Sequence, residues 1–272
     1  MIIVIIIALI FYLLYLLYLY KDTEYFDIVT SNKNTKKNII QTWKNKTIPY
    51  KYHSGINSLK NHNPDYNFIF FTDTDIEVFL KNNYPEYHNT YLLLPHKIQK
   101  IDFFRYVAVY HYGGYYFDLD ISADDKLDKL NTKNNVAYFP IDMHINEKND
   151  EQPRFKKYAD LGFLVGQYAF YAPKYHPFIK SLIDGIYNNI QKYISINNKQ
   201  FLAEPKVLEG KASRAIEQYI YDTTGPDYVT QKFIKYMGTI EYRNYPVHIL
   251  KHPSNQKFGQ YASHNYFGTW KA

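Results

Sequence analysis

The sequence predicts an α/β layered domain with a mostly parallel sheet. Short β-branched and aromatic runs alternate with helical stretches along most of the chain, the order that lays helices over a parallel sheet. The 272 residues suffice for one substantial core, and 46% hydrophobic against 21% charged residues is a globular balance. No internal repeat and no second linker interrupts the chain beyond residue 37, so one folded domain is expected over residues 37–272.

Two segments precede that domain. Ile2 to Tyr20 carries no charge and ends at Lys21. As a helix rising about 1.5 Å per residue, it approaches the thickness of a bilayer core. Tyr12, Tyr15, Tyr18 and Tyr20 crowd its C-terminal half, where aromatic rings sit at headgroup level. A cleaved signal peptide is the alternative, but it has a shorter apolar stretch and a small-x-small cleavage site, and Lys21-Asp22-Thr23-Glu24 offers no such site. Residues 1–20 therefore read as a single transmembrane helix. Asp22, Glu24 and Asp27 outnumber Lys21 after it, which weakens the positive-inside signal. The expected topology is single-pass with the domain lumenal or extracytoplasmic (type II), orientation left open. Residues 21–36 are polar and aperiodic, a stem.

The elements then follow in order. Asn38 to Trp43 reads as a buried strand, Tyr52 to Asn61 as a helix and Tyr66 to Phe71 as a strand. Asp73 to Asn82 is helical with an acidic first turn, so the Asp73/Asp75 pair reads as a helix start and not a metal site. A helix is predicted over 95–112, with Pro95 near its start and Gly113-Gly114 after its end. Strands are predicted at Tyr115 to Leu119, Val136 to Pro140 and Gly162 to Tyr171, and helices at Pro177 to Tyr193, Lys206 to Tyr221 and Pro226 to Tyr236. Ligands of such sheets bind beyond the carboxyl ends of the strands.

Composition excludes some chemistries. With no cysteine there is neither a disulfide nor Cys-ligated zinc. The net charge is +6, but the lysines are scattered and form no clustered stripe, so a nucleic-acid partner is not expected.

The chemistry concentrates in Asp102-Phe103-Phe104-Arg105 and Gly113-Gly114-Tyr115-Tyr116-Phe117-Asp118-Leu119-Asp120. Strand alternation sets Tyr116, Asp118 and Asp120 on one face and Tyr115, Phe117 and Leu119 on the other. Two adjacent carboxylates repel unless a cation joins them. Mg²⁺ or Mn²⁺, which takes carboxylates together with nucleotide phosphates, answers that need. Asp102 and Arg105 share a helix face three residues apart, suited to sugar hydroxyls or to an ordinary surface ion pair.

That block resembles the DXD-containing glycosyltransferase family that includes α-1,6-mannosyltransferases of outer-chain synthesis and sphingolipid mannosyltransferases. More distantly it is similar to the sugar-transferring domain of large glucosylating toxins. Ile39-Ile40-Gln41-Thr42-Trp43-Lys44, Tyr175-His176-Pro177-Phe178, Thr224-Gly225-Pro226 and His264 to Trp270 resemble further family segments in the right order.

The resemblance implies a GT-A type, Rossmann-like nucleotide-sugar-binding domain and a metal-dependent transferase. It would move a hexose from GDP-mannose or a UDP-sugar to a glycan, lipid or protein acceptor. It implies Asp120 as a direct metal ligand, with Asp118 reaching the metal or the donor, and His264 completing a shell around Mn²⁺ or Mg²⁺. Asp102 and Arg105 would hold the transferred sugar, and Tyr116 would line its pocket. Gln41 and Trp43 fall in the first-strand segment at the donor site; the Trp43 ring either stacks on the base or packs in the core. Trp270 either closes the pocket or packs. Family members retain anomeric configuration, and no nucleophile is evident here, which implies front-face departure and attack within an ion pair. One departure stands out: Gln167-Tyr168 replaces a family Asn-Ala pair. It leaves open stereochemistry, acceptor geometry and an alternative, a non-catalytic membrane-anchored carbohydrate-binding protein.

Overall fold

The computed structural model describes residues 9–13, 37–146, 150, 152–196 and 211–268, organised by one mixed ten-stranded sheet. β1 (Asn38–Thr42) lies between β2 (Asn67–Phe71) and β3 (Gly114–Phe117), parallel to both. Beyond β3 the direction changes. β7 (Ala169–Ala172) runs antiparallel to β3 and to β5 (Ala137–His144). β5 also pairs antiparallel with β6 (Phe163–Val165) and β9 (Lys257–Phe258), and parallel with β8 (Val247–Leu250). β9, β10 (Ala262–His264) and β4 (Ile121–Ala123) close the order antiparallel.

The α/β class holds, but the mostly parallel sheet does not. A parallel return needs a covering crossover. Between β5 and β6 the described chain contains only α5 (Pro153–Lys156), one short turn of helix, so the strand comes back antiparallel. The strand predicted over 162–171 is real in direction but broken into β6 and β7 around Gly166-Gln167-Tyr168.

The remaining helices are α1 (His53–His62), α2 (Asp73–Asn83), α3 (Pro85–Leu93), α4 (Lys97–Tyr112), α6 (Pro177–Ile196), α7 (Lys211–Thr223), α8 (Pro226–Met237) and α9 (Glu241–Asn244). Thr72 and Asp75 form the capping box that starts α2, satisfying the acidic-start reading. α3 was not predicted; Pro85 opens it directly after α2, with Tyr84 serving both ends.

α4 is buried nearly all round, with Phe103, Phe104, Tyr106, Val107, Ala108 and Val109 inaccessible to solvent. A helix buried on nearly every side belongs to a core and not to a surface, and the charged Asp102 and Arg105 are carried inside with it. Each such Phe or Val contributes about 1.5–3 kcal/mol through burial. Tyr116 packs into the same cluster as α4, α6 and α8, while Tyr115 and Phe117 pack on the opposite face of the sheet. The predicted alternation is therefore present, but both faces are covered.

Gly113 ends α4 at φ +67°, and Gly114 opens β3 at φ +103°. A Cβ on Gly114 would stand 2.5 Å from the Asn38 carbonyl oxygen, so β1 approaches β3 this closely only past glycine.

Among the described residues no helix is long and apolar enough to cross a membrane. Of the predicted anchor only residues 9–13 are described, as exposed helix. The rest of the anchor and the whole stem lie outside the described residues, as does Trp270.

Candidate active site

β1 and β3 run parallel, so their carboxyl ends open at the same edge, and α4 feeds β3 through the Gly113-Gly114 turn. Three segments meet there.

The first is the inner face of α4. Asp102 and Arg105 are 1% and 2% exposed, so theirs is a buried pair and not a surface one. Arg105 Nη2 stands 3.2 Å from Asp102 Oδ1 and 3.3 Å from Asp118 Oδ1. Its Nη1 donates to the Gln167 backbone carbonyl at 2.8 Å, and the guanidinium lies 4.8 Å over the Tyr116 ring. The Thr224 hydroxyl, just before α8, donates to Asp102 Oδ2 at 2.8 Å. Burial pushes the Asp102 carboxyl up to about 6, with Arg105 and the Thr224 hydroxyl acting against it.

The second segment is Asp118-Leu119-Asp120. β3 ends at Phe117, so the two carboxylates stand on the turn that follows it and not on the strand itself. Tyr116 still reaches Asp118, its hydroxyl donating to Oδ1 at 3.0 Å, and that same hydroxyl lies 3.1 Å from Thr42 Oγ1. Asp118 N–H donates to the Tyr168 carbonyl at 2.8 Å, which pins the turn to the break between β6 and β7. Burial pushes the Asp118 carboxyl up, and Arg105 opposes it.

The third segment comes from the far end of the chain. β10 pairs with β4 so that His264 stands opposite Ile121, beside the Asp turn. His264 Nε2 lies 3.2 Å from Asp120 Oδ1, and the ring stacks on Tyr168 at 4.6 Å. Phe267 N–H donates to Asp120 Oδ2 at 3.0 Å, and Asn265 N–H to the Asp120 carbonyl at 2.8 Å. Burial works to raise the Asp120 carboxyl, but His264 and the Phe267 N–H hold it below the usual carboxylate range. Burial likewise works to lower the His264 imidazole, and Asp120 outweighs it and raises it.

Asp118, Asp120 and His264 each offer a ligand atom within 4.8 Å of the others. Two carboxylates and an imidazole suit Mn²⁺, and Mg²⁺ less closely, leaving coordination positions for diphosphate oxygens. The donor set fits a divalent cation.

Gln41 is buried on β1, and Trp43 follows β1, its ring 4.8 Å from Tyr52. Gln41 Nε2, Trp43 Nε1 and Arg105 Nε are buried without a hydrogen-bond partner. Unpaired buried donors cost about 1–3 kcal/mol each. The structure thus gathers Asp102, Arg105, Tyr116, Asp118, Asp120 and His264, with Gln41 and Trp43 at the adjoining strand end.

Sequence reasoning did not place Tyr106 or Gln256 here. Tyr106 donates to Gln167 Oε1, and Gln256 contacts His264. No local signal marks either: Tyr106 follows Arg105 on a helix, where neighbouring residues point apart, and Gln256 belongs to no motif.

Residues 49–137, which include α4, β3 and the Asp turn, match the family model described as glycosyltransferase sugar-binding region containing DXD motif. This chain carries that DXD region. It is 30% identical to inositol phosphoceramide mannosyltransferase 1 of Schizosaccharomyces pombe over 204 residues, 74% of this chain and 52% of that protein. It is 25% identical to the initiation-specific alpha-1,6-mannosyltransferase of Candida albicans over 77% of this chain and 55% of that one. The chain thus spans about half the length of these relatives. Among solved structures, the catalytic domain of alpha-toxin from Clostridium novyi aligns with a TM-score of 0.47 at 13% identity, over 90% of this chain and 82% of that one.

Proposed function

We propose that this chain is a metal-dependent, retaining glycosyltransferase of GT-A type that transfers a hexose from a nucleotide-sugar donor. The observation that carries the reading is the Asp118, Asp120 and His264 group standing against the buried Asp102–Arg105 pair at one strand edge. The relatives' names favour mannose, hence GDP-mannose over a UDP-sugar, and an acceptor that is a lipid headgroup or a glycan.

Asp118, Asp120 and His264 would hold Mn²⁺, or Mg²⁺, which when bound offsets charge building on the leaving diphosphate. The residues of the chain do the rest. Trp43 and Gln41 would receive the nucleotide. Arg105, fixed by Asp102, Asp118 and the Gln167 carbonyl, would present its unpartnered Nε to a sugar hydroxyl. In the reaction the anomeric C–O bond to the diphosphate breaks and a bond to the acceptor oxygen forms on the same face. The acceptor proton passes to a departing phosphate oxygen. Positioning and charge stabilisation supply most of the acceleration in such a scheme. Residues 1–20 would anchor the domain at a membrane, with the catalytic domain lumenal or extracytoplasmic, and Trp270 would close the pocket.

The test is nucleotide release from a panel containing GDP-mannose, UDP-galactose, UDP-glucose and UDP-N-acetylglucosamine. It is run with Mn²⁺, with EDTA, and on Asp120→Ala. Release from one donor, lost with EDTA and at least about a hundredfold lower in Asp120→Ala, supports the reading. No release and no Mn²⁺-dependent nucleotide binding by calorimetry overturns it, in favour of the carbohydrate-binding alternative.

A further inference from the structure

Gln256 lies in the loop between β8 and β9, outside every motif of the sequence, and its backbone holds a left-handed conformation at φ +61°. A residue with a Cβ keeps that conformation at a cost of roughly 1–3 kcal/mol unless its surroundings impose it. Here they do. The Gln256 backbone carbonyl accepts the His264 N–H at 2.9 Å, and the side chain turns back onto the same histidine, Oε1 standing 2.5 Å from His264 Nδ1.

The neighbours decide which end of the carboxamide meets the ring. Gln256 Nε2 lies 3.2 Å from the Asp142 carbonyl oxygen and 3.5 Å from Asp142 Oδ1. Both are acceptors, so the amide NH₂ belongs on that side and the amide oxygen must face the imidazole. An amide oxygen only accepts, so Nδ1 carries a hydrogen, and in the neutral ring that leaves the lone pair on Nε2, the nitrogen 3.2 Å from Asp120 Oδ1.

We infer that Gln256 is a positioning residue for the cation site, holding His264 in the Nδ1–H tautomer with Nε2 aimed at the cation shared with Asp118 and Asp120. Metal-bound histidines generally donate the other ring N–H to such a partner, and losing that partner weakens binding about 10- to 100-fold. The inference rests on the metal reading above and adds what selects the ligating nitrogen. The stack of His264 on Tyr168 fixes the ring plane but is indifferent to the tautomer, and Asp120 Oδ1 beside Nε2 favours a hydrogen there, so Gln256 is the contact that selects Nδ1–H against it.

The experiment titrates Mn²⁺ into the full chain, wild type, Gln256→Gly and Gln256→Leu, following free Mn²⁺ by electron paramagnetic resonance. Gly takes the left-handed backbone without strain, so its loss of affinity reports the missing amide and not misfolding. A second readout is the imidazole ¹⁵N pattern of His264 without metal, above the pH at which the ring titrates. The result expected is affinity lowered about 10- to 100-fold in both variants, with the ring moving from the Nδ1–H to the Nε2–H tautomer. Variants that bind Mn²⁺ as tightly as wild type, or an Nε2–H ring in the wild type, overturn the inference and leave the metal reading standing. A wild-type chain that binds no Mn²⁺ overturns both.

Discussion

The Thr224 hydroxyl donates a 2.8 Å hydrogen bond to Asp102 Oδ2 across 122 residues of chain. That contact joins the turn before α8 to the inner face of α4 and leaves Asp102 with a neutral donor on one oxygen and Arg105 on the other. The Asp102–Arg105 pair is therefore set from three sides: Thr224 on Asp102, and Asp118 and the Gln167 carbonyl on Arg105.

Replacing Thr224 by Val keeps the shape and removes the donor. Asp102 is fully buried, so no water replaces the lost bond. Unfolding in urea at neutral pH is expected to show a loss of about 1–3 kcal/mol. A loss near zero would mean that the hydrogen bond does not stabilise the carboxylate.

Arg105→Met strands the Asp102 carboxylate inside the core. Removing one partner of a buried pair costs about 3–5 kcal/mol. The loss is expected to be larger at pH 8 than at pH 5. Asp102 already has its carboxyl raised to about 6, and without Arg105 it takes a proton more readily. A folded carboxyl held above its unfolded value loses stability as pH rises through the folded pKa. Equal destabilisation at both pH values would sink this account.

His176 caps α6, its Nδ1 accepting the Phe178 N–H at 3.2 Å, and burial lowers its imidazole from 6.5 to about 4. Between those values the unfolded chain binds a proton that the folded chain refuses. The stabilisation is thus present above pH 6.5 and lost as pH falls toward 4, by up to about 3 kcal/mol at 1.36 per unit. His176→Asn keeps an acceptor at the cap but does not titrate. Stability against pH is expected to be flatter over this window in the variant; identical slopes would refute the assignment.

Gly114→Ala sets a Cβ against the Asn38 carbonyl at 2.5 Å and forces an L-residue to φ +103°. Backbone strain alone costs about 1–3 kcal/mol, and the clash adds to it by prising β3 from β1. Lower thermal stability together with weaker Mn²⁺ binding is expected, since β3 carries the Asp turn. Wild-type values in both measurements would show that the close approach is not needed.

What the sequence determined by itself lies within reach of neighbouring residues. The helices and strands from Asn38 to Phe117 other than α3, the acidic start of α2, the Gly113-Gly114 stop after α4 and the alternation of Tyr115, Tyr116 and Phe117 all follow from local sterics and periodicity. The Asp102-to-Asp120 block was legible for the same reason: one helix, one turn and one strand carry it. Tertiary structure decided the rest. Nothing local says that Asp102 and Arg105 are buried, because burial depends on the strands and helices packed over them. The antiparallel half of the sheet depends on how little structure joins β5 to β6, which strand periodicity does not report. His264 reaches Asp120 through the pairing of β10 with β4, and Gln256 reaches His264 through a loop held in a left-handed turn. These contacts join residues far apart in sequence. Hydrogen bonds and packing that close so late leave no mark on the intervening chain, and only the folded arrangement displays them.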